Sequence, residues 1–566
     1  MQAKQTGEYV NTIERVEAAY ARIARIDRPE AWITLREKDE VLAEAAIIDQ
    51  RAAAGADLPL AGRLYAVKDN IDVASLPTTA ACPAYVYTPE RDAAAVARLR
   101  AAGAICLGKT NLDQFATGLV GTRSPHGPVR AAADPARISG GSSSGSAVMV
   151  ALGVVDFALG TDTAGSGRVP AALNGIVGIK ASLGLVPTGG VVPACHSYDC
   201  VTAFAGDLAG AVEAMRAMTG PDADPASRDW PAEVRLAAGP RPRLAVPRES
   251  DLEPLDPDFR PLWDRALARF EAAGVECRPI DVRPLLEAAL LLYEGALVSE
   301  RYAAFGEYID AWPDEVDPTV AEIVMGAKKF TGADLAADQQ RLRAARAAAR
   351  DLLDGFDALA LPTAPLHPTI AEVRADPIAV NAKMGTYTNF VNLLDMAAVA
   401  VPAGSAGTKG FGVSVIVPAF NDQVAVDLAA RFGGVEAPQY APAEAELVVF
   451  GAHMTGMPLN TQLTDLGARY AGAVATAPAY RMYALNTDPP KPAVVRAARG
   501  VSLPGERWLL SPTALGRFLT ALPEPMTLGK VELDDGDWAT GFVAAVPTGT
   551  DITTTGGWRA HTAKTD

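Results

Sequence analysis

Apolar residues recur at three- to four-residue spacing among charges over residues 9–27 and 38–54, which predicts two amphipathic helices. Near residue 62 the texture changes. Short apolar runs, Leu64 to Val67 and Ala104 to Leu107, alternate with Ala-rich helical stretches such as Ala93 to Ala102. That alternation predicts an α/β fold, a sheet with helices on its faces. Residues 120–200 are dense in Gly, Ser and Thr yet keep apolar runs, as expected where the backbone turns closely around a site. The most apolar stretch, Ala147 to Leu159, is too short to span a bilayer and carries Asp156, so it predicts a buried helix. Helical spacing returns at 255–275 and 332–353, and DALALPTAP at 357–365 predicts a strand ending in a turn. A Pro- and Ala-rich segment, 435–446, then marks a division near residue 440. The expected domains are 1–440 and 441–566. The second breaks strand-like runs (LVVF, AYRMYAL, RWLL, TGFVAAV) with Gly and Pro, which predicts a small β-rich domain.

Composition narrows the function classes. A hydrophobic fraction of 49% and a charged fraction of 21% over 566 residues suit a folded globular chain rather than a disordered or fibrous one. The formal charge of −16 repels phosphate backbones, so nucleic acid is not an expected partner. Five cysteines, Cys82, Cys106, Cys195, Cys200 and Cys277, are too few for a disulfide framework in so long a chain. With no visible export signal in the opening residues and no expected membrane partner, the expected location is the cytoplasm. Five histidines in the whole chain weigh against chemistry built on a His cluster and direct attention to other bases.

Three local matches fail on context. Gly103 to Thr110 fits the phosphate-loop pattern, but its middle residues, AICL, belong inside a strand and the helix precedes it. Gly141-Ser-Ser143-Ser-Gly145 fits a hydrolase nucleophile elbow, but polar residues broken by Pro135 stand where a strand is needed, and only His367 is available later in the large domain. Cys195-His196 with Cys200 has no second cluster to complete a zinc site. No metal or other cofactor is expected.

A wider constellation carries more: Gly62 to Asn70 with Lys68, then Ser139-Gly-Gly-Ser142-Ser-Ser-Gly-Ser-Ala147, then Gly160-Thr-Asp-Thr-Ala-Gly-Ser166-Gly-Arg168. In this order and spacing the segments resemble the amidase-signature family of Ser-dependent amide hydrolases, with PTAP at 362–365 as a further echo. The resemblance implies a mixed sheet covered by helices, Ser166 as nucleophile, Ser142 as a bridging serine preceded by a cis peptide, and Lys68 as base. An ordinary lysine, with a pKa of about 10.4, is protonated at neutral pH, so Lys68 must be buried to act. Neutral Lys68 would accept the Ser142 proton while Ser142 accepts that of Ser166. The backbone amides of Thr163, Ala164, Gly165 and Ser166 are the candidate oxyanion donors.

Members of the family cleave different amides, so the remaining sequence must choose the substrate. Tyr293-Glu-Gly-Ala-Leu-Val-Ser-Glu-Arg301-Tyr302, Gly385 to Ala397, and FATGLVGTRSPHGP at 115–128 resemble the allophanate-hydrolase subfamily. VVFGAHMTGMPLNTQL at 448–463 resembles the start of that subfamily's C-terminal domain, itself similar to a γ-glutamylcyclotransferase-like barrel. The resemblance implies a small anionic substrate, allophanate, converted to ammonia and carbon dioxide with N-carboxycarbamate as the first product. Arg301 would clamp the carboxylate, Tyr293 would donate one hydrogen bond from the same helix, and Gly118 would line the pocket. The alternative for Arg301 is an ion pair with Glu300 or Glu294. His453 is the candidate in the C-terminal domain, for decarboxylation, with assembly as that domain's other reading. A homodimer is the expected assembly. A functional link to a biotin-dependent urea carboxylase, or to a cyanuric-acid or biuret pathway, follows from the substrate. The competing reading is a general amidase, or a glutamine-type amidase subunit that delivers ammonia to a partner with the tail as docking module.

Overall fold

The computed structural model describes residues 11–544 and 549–564. The first two residues of the helix expected over 9–27, the ten opening residues read for an export signal, and the end of the TGFVAAV run lie outside the described residues. Cα proximity divides the chain into two compact units, Met1–Asp229 with Arg243–Tyr440, and Trp230–Pro242 with Ala441–Asp566. The single division placed at 440 does not include the excursion of 230–242.

The first unit is built on eleven strands: β1 (Trp32–Leu35), β2 (Leu64–Lys68), β3 (Ile105–Thr110), β4 (Phe157–Asp162), β5 (Val177–Lys180), β6 (Cys200–Ala205), β7 (Arg243–Pro247), β8 (Glu276–Ile280), β9 (Ala358–Pro362), β10 (Met396–Ala406) and β11 (Lys409–Pro418). They form one mixed sheet in the order β1-β3-β2-β4-β6-β5-β10-β11-β9-β7-β8. β2 lies parallel to both β3 and β4, so its carboxyl end and that of β4 emerge side by side. β2, β3 and β4 are buried along their whole length, which is why they read as continuous apolar runs rather than alternating ones.

The helices follow their sequence signals. Asn11 caps Thr12–Arg25 by accepting from the Glu14 N–H, with Glu14 in the first turn and Arg22 and Arg25 in the last. Lys38–Ala53 buries Val41, Ala45 and Ile48, one stripe at helical spacing. The stretch 147–159 departs from the expected single helix. Helix Ser144–Ala151 ends there, Gly153 turns the chain at φ +64°, and β4 begins at Phe157. The parts of both elements that fall within 147–159 are apolar and almost wholly buried, and periodicity does not separate a buried helix from a buried strand there.

In the second unit, β12 (Ala445–Val449), β13 (Arg469–Ala475), β16 (Pro504–Leu510), β17 (Met526–Glu532) and β18 (Trp538–Ala544) form a five-stranded sheet; β14 (Tyr480–Leu485), β15 (Lys491–Arg496) and β19 (Thr550–Asp551) form a three-stranded one. Their core gathers Leu447, Val449, Trp508, Phe518 and Phe542. The 230–242 segment is integral to this unit. Leu236 N donates to Gly467 O at 2.8 Å, and Val234 and Leu236 are buried beside Leu509. No helix among the described residues is long and apolar enough to cross a membrane.

Candidate active site

Lys68 is the last residue of β2 and is completely buried. Its Nζ donates to Ser142 Oγ at 2.7 Å and to Thr161 Oγ1 at 2.7 Å. Ser142 follows a cis peptide bond from Gly141, and its Oγ donates to Ser166 Oγ at 3.0 Å. The structure therefore brings together Lys68, Ser142 and Ser166 as a continuous hydrogen-bonded chain. Burial pushes the Lys68 ammonium down to about 7; Asp113, Asp199 and Asp162 pull it upward, and the positive charge of Arg301 pushes it down further. A lysine of that pKa can give and take a proton near neutrality.

Asp113 organises one side of the chain. Its Oδ2 accepts from Gly121 N at 2.9 Å and Val120 N at 3.2 Å, and its Oδ1 accepts from Arg123 N at 3.0 Å. A Cβ on Gly141 would stand 2.0 Å from Asp113 Oδ2, so this approach admits only glycine. The loop that Asp113 holds carries Gly118, whose carbonyl lies 3.5 Å from Ser166 Oγ.

The loop that carries Ser166 is held by Asp162, the last residue of β4. Arg168 donates to it bidentately, Nε to Oδ2 at 2.9 Å and Nη2 to Oδ1 at 2.9 Å, and Gly167 N adds a bond at 3.0 Å. Burial pushes Asp162 upward, but the Arg168 guanidinium more than offsets this and holds the carboxyl below the usual carboxylate range. Thr163 donates through Oγ1 to Asp199, which also accepts from Ala194 N at 2.8 Å. The amides of Gly167 and Arg168 are engaged, whereas those of Thr163, Ala164, Gly165 and Ser166 have no acceptor among the described residues. Four unpaired N–H groups beside a serine hydroxyl are a ready receptor for a developing oxyanion.

Arg301 and Tyr293 meet, by a route other than the expected one. They do not share a helix: Tyr293 lies in the turn after helix Arg283–Leu290, and Arg301 lies in the first turn of helix Ser299–Ala311. The chain folds back between them, and Arg301 Nη2 donates to Tyr293 Oη at 3.0 Å while Nη1 donates to Thr117 Oγ1 at 3.0 Å. Arg301 is 1% exposed, its Nε has no partner, and it forms no ion pair among the described residues. Glu300 instead accepts from Ser197 N at 2.9 Å and from the Cys195 thiol. Tyr293 lines a cleft of about 600 Å3 together with Arg123, Asn381, Asn389 and the apolar Leu286 and Phe330.

The discarded matches have structural roles. Ser143 donates to Thr161 O at 3.1 Å, and His367 is spent between Ile138 O at 2.8 Å and Gly410 N at 2.9 Å. Lys109 lies within β3 and pairs with Asp69 at 3.0 Å. Sequence reasoning missed Thr161, Asp113, Asp199 and Thr117. Thr161 and Asp113 stand in or beside the quoted motifs, but nothing local distinguishes a buried organising carboxylate from a surface one.

In the second unit the buried His453 lines a cavity of about 170 Å3 together with Lys491, Gln462 and Phe542. Its Nε2 lies 2.9 Å from Gln462 Oε1 and its ring stacks on Phe542 at 4.9 Å. Burial pushes the imidazole below its usual range, with Lys491 adding to the effect.

The family described as Amidase matches residues 14–425, and that described as Allophanate hydrolase C-terminal domain matches 445–563. Urea amidolyase of Saccharomyces cerevisiae is 40% identical over 95% of this chain and 31% of its own length. The chain thus spans 31% of the curated urea amidolyases it matches. A glutamyl-tRNA(Gln) amidotransferase subunit of Thermus thermophilus is 33% identical over 73% of this chain and 92% of that one. Among solved structures, Kluyveromyces lactis allophanate hydrolase superposes with a TM-score of 0.87 at 37% identity, covering 99% of this chain and 98% of that one.

Proposed function

The chain belongs to the amidase family, and we propose that within it the enzyme hydrolyses allophanate, urea-1-carboxylate, at the Ser166 centre. One observation carries the choice of substrate. Arg301 is a buried guanidinium with no carboxylate partner among the described residues, bonded to Tyr293 on one side and on the other to Thr117, whose neighbour Gly118 meets Ser166 Oγ through its carbonyl at 3.5 Å. A buried charge left unpaired calls for a counter-ion, and the carboxylate of a small substrate supplies one. The Kluyveromyces lactis allophanate hydrolase and the Saccharomyces cerevisiae urea amidolyase support the same reading.

In the proposed reaction neutral Lys68 accepts the Ser142 proton as Ser142 accepts that of Ser166, and Ser166 Oγ attacks the carbamoyl carbon. The oxyanion is received by the free amides of 163–166. The proton returns through Ser142 to the departing nitrogen, the C–N bond breaks, and ammonia leaves an acyl-Ser166. Water, deprotonated by the same relay, cleaves the ester and releases N-carboxycarbamate. Gly118, whose carbonyl lies 3.5 Å from Ser166 Oγ, would stand against the bound amide in this reading.

The second unit is proposed to act on that product. Its cavity of about 170 Å3 suits a small dianion, Lys491 supplies the opposite charge, and neutral His453 is placed to exchange a proton as carbon dioxide departs. A source of allophanate, by carboxylation of urea, fits the urea amidolyase relatives.

The test is direct: purified protein given allophanate should release ammonia. Inertness to allophanate together with hydrolysis of acetamide or glutamine would replace this reading with that of a general or glutamine-type amidase.

A further inference from the structure

The short helix Asn389–Leu393 is fastened to the loop that carries Ser166. Arg168 Nη1 donates to Thr388 O at 3.1 Å, and Asn392 Nδ2 donates to Asp162 O at 2.7 Å. A Cβ on Gly165 would stand 2.5 Å from Thr388 Oγ1. Thr388 therefore touches the residue before Ser166, and its neighbour Asn389 is held at a fixed place relative to the serine hydroxyl.

Asn389 lines the same cleft as Tyr293. Its residue is 9% exposed, and its Oδ1 is buried with no hydrogen-bond partner. Gly385 makes the room: a Cβ there would lie 2.4 Å from Asn389 Oδ1 and 2.5 Å from Nδ2. A buried amide oxygen left unpaired is destabilising unless something supplies a donor, and Asn389 is one of the residues that line the cleft from which a ligand's donor would come.

We propose that Asn389 is a specificity-determining residue that reads the bridging N–H of a carboxylated urea. This rests on the allophanate reading above. In allophanate the bridging N–H and the carboxylate oxygen syn to it form a planar donor–acceptor edge. A primary carboxamide is its complement, Oδ1 accepting the N–H while Nδ2 donates to the oxygen. Arg301 and Tyr293 recognise charge, which any short carboxylate offers; Asn389 recognises the nitrogen between the two carbonyl carbons.

Malonamate separates these roles, because it keeps the primary amide and the carboxylate but has a methylene where allophanate has the bridging N–H. The experiment measures kcat/KM for ammonia release from allophanate and from malonamate, in the wild type, in Asn389→Ala and in Gly385→Ala. The second variant keeps the asparagine but displaces its carboxamide, and so serves if the first fails to fold. The ratio of allophanate to malonamate should fall roughly tenfold in both, the worth of one neutral hydrogen bond. A ratio unchanged from wild type, with both substrates losing equally, would overturn the inference and leave Asn389 a merely structural residue. A wild type inert to allophanate would overturn the proposed reaction and this inference with it, an outcome distinct from an active enzyme with an unchanged ratio.

Discussion

Acidification should switch off the amide-cleaving centre by protonating Lys68, and the position of the switch measures what burial has done to that side chain. Only the neutral amine accepts the Ser142 proton. With the ammonium at about 7, the neutral fraction is about 1% at pH 5, about 9% at pH 6, about half at pH 7 and about 90% at pH 8. An ordinary lysine near 10.4 would be neutral in only about 0.04% of molecules at pH 7, so burial enlarges the competent fraction by about a thousandfold. The sign follows: lowering the pKa makes the base available at lower pH, and kcat/KM should rise about tenfold per pH unit below 6 and level off above 8. The assay is ammonia release at subsaturating allophanate between pH 5 and 9.5. A second arm assigns the inflection. Arg301 pushes the Lys68 ammonium down, so Arg301→Met should move the inflection upward at whatever activity remains, a shift that an unrelated titrating histidine would not show. A flat profile, an inflection above pH 9, or one that stays in place in Arg301→Met would refute the assignment of Lys68 as the base.

Replacing Ser166 with alanine should lower ammonia release by at least about 10³-fold with the thermal midpoint within a few degrees of wild type; residual turnover near the wild-type rate would show that another group attacks. Arg168→Met leaves Asp162 buried without its partner, and should cost about 3–5 kcal/mol in denaturant unfolding; a change below 1 kcal/mol would show that the pair is dispensable. His453→Ala should leave the first ammonia release unchanged while N-carboxycarbamate persists longer, read by ¹³C NMR of labelled substrate, and an unchanged lifetime of that product would place the second unit outside the chemistry.

The three groups of the proposed relay were legible as a set because each sits in a segment whose local chemistry is unusual. A lysine ends an apolar strand, and two Gly/Ser runs flank a buried helix and strand; Lys68, Ser142 and Ser166 meet as those motifs suggest. What holds them was not legible. Asp199 reaches Thr163 across 36 positions and Arg168 reaches Asn392 across 224, contacts that exist only once β4, β6 and β10 are brought together in the sheet. Arg301 and Tyr293 illustrate a partial success. Their chemistry was visible, but their shared helix was not real, since an eight-residue spacing fits one helix or a fold-back equally well. The run 147–159 failed for a related reason: apolarity on both sides of Gly153 and Asp156 reports burial and hides the element type.

The excursion of 230–242 makes completion of the second unit wait on two stretches of chain made at very different times. Val234 and Leu236 are buried in a unit otherwise formed by residues 441–566. On a ribosome these side chains emerge long before their partners. At about 5–20 residues per second they wait on the order of ten seconds to a minute for the rest of that unit to follow. During that interval a strip carrying Trp230, Val234 and Leu236 lies uncovered, and a chain severed at residue 440 would keep it uncovered permanently. Separating the two units cleanly therefore requires removing or rewriting 230–242 as well, and a tailless variant that aggregates would be reporting this stranded strip rather than any loss at Ser166.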